Sequence, residues 1–171
     1  MPDLTVSSDV DSLLSVAEDA AFKKLLNLEY AQIEVEGNAT ATNFSAASTD
    51  FSNKVQIVIF TADGISNGAT PDHTNDHITI NTTGIYSVAA SISYSGTGNT
   101  TYSFAFFKNN GATQIGSRQT RKIGAGGNVG AFEMSTLASL TAGDTIELWA
   151  QDEDGSNSLV VEDAVFSIRM I

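Results

Sequence analysis

Between Gly84 and Ser95 the side chains alternate with a period of two. Tyr86, Val88, Ala90, Ile92 and Tyr94 fall on one face, and Ser87, Ala89, Ser91, Ser93 and Ser95 on the other. This predicts a long β-strand with one large apolar face and one face of small residues. After an Ala142-Gly143-Asp144 turn, Ile146, Leu148 and Ala150 alternate in the same way with Thr145, Glu147, Trp149 and Gln151. Gly accepts positive φ and Asp bonds nearby backbone, so the turn delivers the chain into a second core strand. Trp149 then points away from the core face that holds Ile146 and Leu148.

The same period begins at Tyr30, where Ile33 and Val35 alternate with Gln32, Glu34 and Glu36. Beyond a stretch rich in Thr, Asn and Ser over 38–53, Val55, Ile57 and Ile59 alternate with Gln56, Val58 and Phe60, predicting a strand buried on both faces. Ile78 and Ile80 precede Thr82-Thr83-Gly84, a predicted hairpin into the Tyr86 strand. Tyr102, Phe104 and Phe106 mark another strand, and Phe132, Met134 and Leu137 follow a glycine-rich loop over 124–130. Leu159 to Ile171 closes the chain. Short strands joined by Gly, Asn and Asp turns predict an all-β antiparallel sandwich. An immunoglobulin-like arrangement is the runner-up, without the Cys and Trp landmarks that would favour it.

Residues 1–29 follow a different pattern. Ser15 and Glu18 have capping-box spacing, which predicts a helix over 16–26. Its apolar side chains are more than a lone helix leaves in water. The segment is therefore expected to dock, with Leu13, Leu14, Phe22, Leu25 and Leu26 as attachment residues. The expected organisation is a helical attachment segment over 1–29 and a sandwich domain over 30–171.

Twenty acidic against eight basic residues give a formal charge of −12, which opposes nucleic-acid binding because phosphate contacts need Lys and Arg. No apolar run approaches the roughly 20 residues of a membrane span, so membrane insertion is not expected. With no cysteine, thiolate metal sites and thiol nucleophiles are excluded. No catalytic, cofactor-binding or metal-binding residues are expected. Serines are plentiful, but none stands in a G-x-S-x-G elbow, and 124–130 lacks the Lys-Ser/Thr ending of a phosphate loop. The chain is not expected to be an enzyme; a carboxylate pair such as Asp152 and Asp154 is the only hydrolytic foothold.

Three clusters carry candidate chemistry. Asp152-Glu153-Asp154-Gly155 offers oxygen ligands to calcium but lacks the later acidic positions of a calcium loop, so a solvated turn is favoured. Asp72, His73, Asp76 and His77 have the composition of a metal cluster, in a Thr- and Asn-rich surface loop with no helix to align the imidazoles. Arg118, Arg121 and Lys122 gather three of the eight basic residues. They suit acidic side chains of a neighbouring subunit, an anionic ligand, or a charged edge strand. N-x-Ser/Thr triplets at Asn38, Asn43, Asn81 and Asn99 are read as chance in so Asn- and Thr-rich a chain.

Four motifs in order resemble the jelly-roll superfamily of tumour necrosis factor and the complement globular heads. Gly84, Tyr86 and Val88 match its G-x-Y-x-V strand, and Leu140, Gly143, Asp144, Ile146 and Leu148 match its L-x-x-G-D-x-I-x-L strand. Phe106 to Gly111 resembles its apolar strand ending in Asn-Gly, and Phe166 to Ile171 stands where its last core strand lies. The resemblance implies a jelly roll that assembles as a homotrimer, with an interface drawn from Tyr86, Tyr102, Phe104, Phe106, Trp149 and Phe166. Asp11, Leu13, Leu14, Ala20, Ala21, Leu26 and Leu28 resemble a short helical element of bacteriophage tail-fibre and other virion proteins, without its usual Arg and closing Gly. Together the two resemblances imply a bacteriophage virion structural protein, a capsid decoration or short head or tail fibre whose partners are other virion proteins of the capsid or tail. The alternative is a receptor-binding fibre tip or secreted adhesive module recognising host surface glycans through the loops at 72–77 and 152–158.

Overall fold

The computed structural model describes residues 29–126 and 128–171. The expected helix over 16–26 and all five attachment residues lie outside them.

Among the described residues twelve strands form two antiparallel six-stranded sheets packed face to face. One sheet, here sheet A, runs β10 (Gly130–Leu140), β7 (Gly84–Gly96), β12 (Ser158–Met170), β1 (Tyr30–Val35), β4 (Ala62–Asn67), with β2 (Thr42–Asn43) also on β12. Sheet B runs β5 (Thr70–Asp72), β6 (His77–Thr79), β11 (Thr145–Asp152), β8 (Thr101–Lys108), β9 (Thr113–Lys122), with β3 (Val55–Gln56) also on β11. This is the jelly roll that the motif order implied.

Alternation sets which side chains meet between the sheets. Tyr86, Val88, Ala90, Ile92 and Tyr94 of β7 face Ile146, Leu148, Phe104 and Phe106 of sheet B in one core. Phe106 stacks on Phe166 at 5.6 Å between centroids, and Tyr94 meets Phe104 at 5.1 Å. Residues Tyr102 to Phe107 are buried on both faces of β8, because the chain over 44–54 folds across the outside of sheet B. That cover hangs on Gln151, whose Oε1 accepts from Ser48 Oγ and the Phe51 amide, both at 2.6 Å.

Two expectations for the strands are corrected. The 55–60 run is not a strand buried on both faces: only Val55 and Gln56 pair, and Val58 is 58 % exposed. The chain here leaves sheet B, where Ile57 N bonds Leu148 O, and enters sheet A, where Thr61 N bonds Glu34 O. A segment crossing between sheets cannot stay in either ladder, so Ile57 and Ile59 plug the core end instead. Likewise 78–86 is not a hairpin, since β6 and β7 belong to different sheets. The 82–84 turn carries the chain across the core edge.

Candidate interaction surface

The aromatic side chains expected at an interface lie elsewhere. Tyr86, Tyr102, Phe104, Phe106 and Phe166 are at most 1 % exposed, between the two sheets of a single chain. They are therefore unavailable to a second subunit. A core between two six-stranded sheets has room for all of them, so the aromatic content is no surplus. Trp149 does point away from the core, but it packs with Phe51, Ala105 and Phe107 beneath the 44–54 cover, and Lys54 Nζ sits 4.8 Å from the Phe107 ring centre and 5.3 Å from that of Trp149. Its neighbours are its own chain.

The acidic clusters are similarly committed. Asp152 is fully buried, and its Oδ1 accepts from the amides of Asp154 and Gly155 while its Oδ2 accepts from the amide and side chain of Asn157. Four donors saturate the carboxylate, so it organises its loop and has no lone pair turned toward a cation. Asp154 caps the Thr101 amide at 2.6 Å, which holds its carboxyl below the usual range. Glu147, 2 % exposed, accepts from the Asn110 and Gly111 amides, Thr145 Oγ1 and Trp149 Nε1. It clamps a turn in which Asn109, Asn110 and Gly111 all have positive φ, a conformation Asn and Gly tolerate best.

In the 72–77 loop the imidazoles pair separately. His73 Nδ1 lies 3.1 Å from Asp63 Oδ1 without hydrogen-bond alignment, and His77 Nε2 lies 3.8 Å from Asp72. Among the described residues no group of three or more His, Asp or Glu is placed to hold a metal ion. Asp76 is buried and accepts from the Phe60 amide at 2.9 Å. Burial raises its pKa, with that hydrogen bond opposing.

Among the described residues, nothing packs on the outer face of sheet A. Leu137, Ser87, Arg169 and Tyr30 are successive cross-strand partners on it, followed by Ser135, Ala89, Ser167 and Gln32, then by Glu133, Ser91, Val165 and Glu34. The middle is paved with Ser and Ala, so it is flat and its backbone lies close to the surface. Ile85, Leu137 and Val165 stand out of it, Leu137 at 64 % exposure. At one end a shallow groove of about 650 Å³ is lined by Glu34, Glu36, Ser91, Ser93, Asp163 and Val165. Asp163 is spent within the chain, on the Gly37 amide and Ser93 Oγ.

The basic run takes the opposite role. Arg118, Arg121 and Lys122 all lie exposed on β9, the edge strand of sheet B. Arg118 donates to Thr49 O and lies 3.6 Å from Glu153. Arg121 reaches across the sandwich edge to Ala131 O on β10, passing over Gly130, where a Cβ would stand 2.8 Å from its Nε. Between the two edges is a recess of about 250 Å³ lined by Gln119, Thr120, Arg121 and Phe132. Behind it Tyr94 packs edge-on against Phe132 at 5.9 Å. Burial pushes the Tyr94 phenol up to about 12, with the charge of Arg121 opposing. Neither the small-residue face nor the recess was among the expected sites. The serines of β7 were legible as a second face, but a contact surface was sought among large side chains.

No protein-family model and no curated protein matches the chain. Solved structures do. The globular domain of zebrafish complement 1qA protein superposes with a TM-score of 0.59 at 12 % identity, over 84 % of this chain and 97 % of that one. Murine APRIL gives 0.57 at 11 % identity over 84 % and 99 % of the two chains, and Eiger TNF from S. frugiperda 0.52 at 16 % over 85 % and 93 %. The chain has the jelly-roll fold of tumour necrosis factor and complement globular heads.

Proposed function

We propose that the chain forms a homotrimer through the outer face of sheet A and acts without catalysis as the globular head of a larger assembly, a bacteriophage capsid decoration protein or short head or tail fibre held by its first 28 residues. One observation carries the assembly: a flat, small-residue sheet face from which Ile85, Leu137 and Val165 project. Small side chains let two backbones approach closely, and isolated apolar knobs on such a face gain by burial between subunits. A closed ring of identical subunits satisfies that need by head-to-tail contact, two different patches of each copy meeting its two neighbours.

The virion role draws on the N-terminal resemblance, and the fold is compatible with it because a closed jelly roll needs no further segment to complete its core. Glycan recognition through the loops at 72–77 and 152–158 has less support, since Asp72 holds the amide and side chain of Asn75 and Asp152 is saturated by its own loop. The test is cosedimentation with particles lacking their own copy of the protein. Full-length protein is expected to pellet with the particles. A chain without residues 1–28 is expected to stay folded and trimeric but free. Equal binding by both would place the contact in the β-domain, and loss of folding would make the segment part of the subunit.

A further inference from the structure

Tyr94 is fully buried, and its hydroxyl has no hydrogen-bond partner among the described residues. Buried polar groups in native proteins are nearly always paired, so an orphan phenol singles out this end of the sandwich. The phenol lies behind the recess between β9 and β10 and is not part of its lining. Gly130 is the cross-strand partner of Tyr94, and Arg121 packs where a Gly130 Cβ would project, so the guanidinium occupies the same side of the sheet as the phenol. Arg121 makes one bond, to Ala131 O, and has no carboxylate partner among the described residues although the chain has twenty acidic side chains. Guanidinium donors and an aromatic wall at Phe132, both in the recess lining, together fit a carboxylate on a short apolar stem. The recess, at about 250 Å³, falls below the roughly 300–1,000 Å³ of small-molecule pockets and suits a single side chain better than a free ligand.

Resting on the homotrimer reading above, we infer that this recess is a socket for a carboxylate from the acidic end of a second copy's sheet A face, Glu34 or Glu36. Charge complementarity selects that occupant. Asp144, Glu147, Asp152 and Asp154 are bound inside their own chain and Glu34 accepts from Gln32 Nε2 at 2.6 Å, whereas Glu36, beside Glu34 in the open groove, has no partner among the described residues. Socket and carboxylate lie on different parts of one chain, so each contact is head to tail, the kind of contact from which a threefold ring is built.

The experiment is sedimentation velocity over a concentration series with the full-length protein, alongside circular dichroism for folding. Arg121→Glu, and separately Glu34→Lys with Glu36→Lys, should each raise the trimer dissociation concentration at least about thirtyfold. A chain carrying all three changes should return to within about threefold of wild type, because the reversed charges pair again. Should Arg121→Glu fail to fold, Arg121→Gln removes the charge without placing a new one at the edge, with a smaller effect in the same direction. A stable wild-type trimer that is indifferent to Arg121→Glu or Arg121→Gln, or is not restored by the combined chain, would refute the socket and leave the trimer standing. A wild-type monomer would refute both.

Discussion

Glu147 shows how one buried charge can decide a local conformation. Its carboxylate is the common acceptor for two amides, a hydroxyl and an indole, and removing it leaves the buried Gly111 amide without its acceptor. Glu147→Ala is expected to cost about 3 kcal/mol, read as a lower urea midpoint with unchanged slope. Asp152 acts in the same way on 154–157, and its saturation predicts that thermal melts with calcium and with chelator coincide. A calcium-dependent rise in Tm would show that the loop reopens to bind the ion. Asp76 works in the other direction. Its pKa is raised by burial, so the folded state holds a proton more tightly than the unfolded chain. Stability from this group is greatest below the ordinary carboxylate pKa and falls as pH rises through the raised folded value. Asp76→Asn keeps an acceptor for the Phe60 amide and tolerates the positive φ of 54°. It should therefore stabilise the protein at pH 7, with the gain vanishing toward pH 3. A gain that is the same at both pH values would show that the charge is not its source.

At the scale of elements, the strands that line the core were legible and the edges were not. β1, β7, β8 and β11 declare themselves because one or both faces are buried, which forces alternation or a continuous apolar run. β4, with the sequence ADGISN, and β5, with TPD, are edge strands whose pairing is carried by backbone, so no hydrophobic period marks them. β9 was visible only through its charge, which suits a long edge strand guarding itself against pairing with other chains. Phe44 and Phe51 were hidden in the polar 38–53 stretch because each is anchored by tertiary cover and not by a periodic neighbour. The orientation of Trp149 off the core face follows from period two, but the 44–54 cover it packs against comes from a loop far earlier in the chain, which no local pattern announces. Trp149→Glu is consequently expected to loosen the 44–54 cover and lower stability by about 2–4 kcal/mol, while leaving the association constant of folded protein unchanged. Hydrogen exchange confined to 44–54, with sedimentation unaltered, would be the signature.

For the whole molecule, the central claim is that the small-residue face of sheet A, and not the aromatic core, holds three copies together. In the proposed assembly a β9 edge bearing Arg118, Arg121 and Lys122 would oppose a groove bearing Glu34 and Glu36 on the next copy. Raising salt from about 0.05 M to 0.5 M should weaken assembly without unfolding the subunit, because exposed charge pairs are screened. The most direct measurement is the mass in solution of wild type and of Ala89→Arg, by light scattering at micromolar concentration. Ala89 lies at the centre of the face with Ser135 and Ser167 as cross-strand partners and points away from the core. The account predicts three times the chain mass for wild type and a folded monomer, with an unchanged Tm of the subunit, for Ala89→Arg. A monomeric wild type, or a trimer that Ala89→Arg leaves intact, would contradict it.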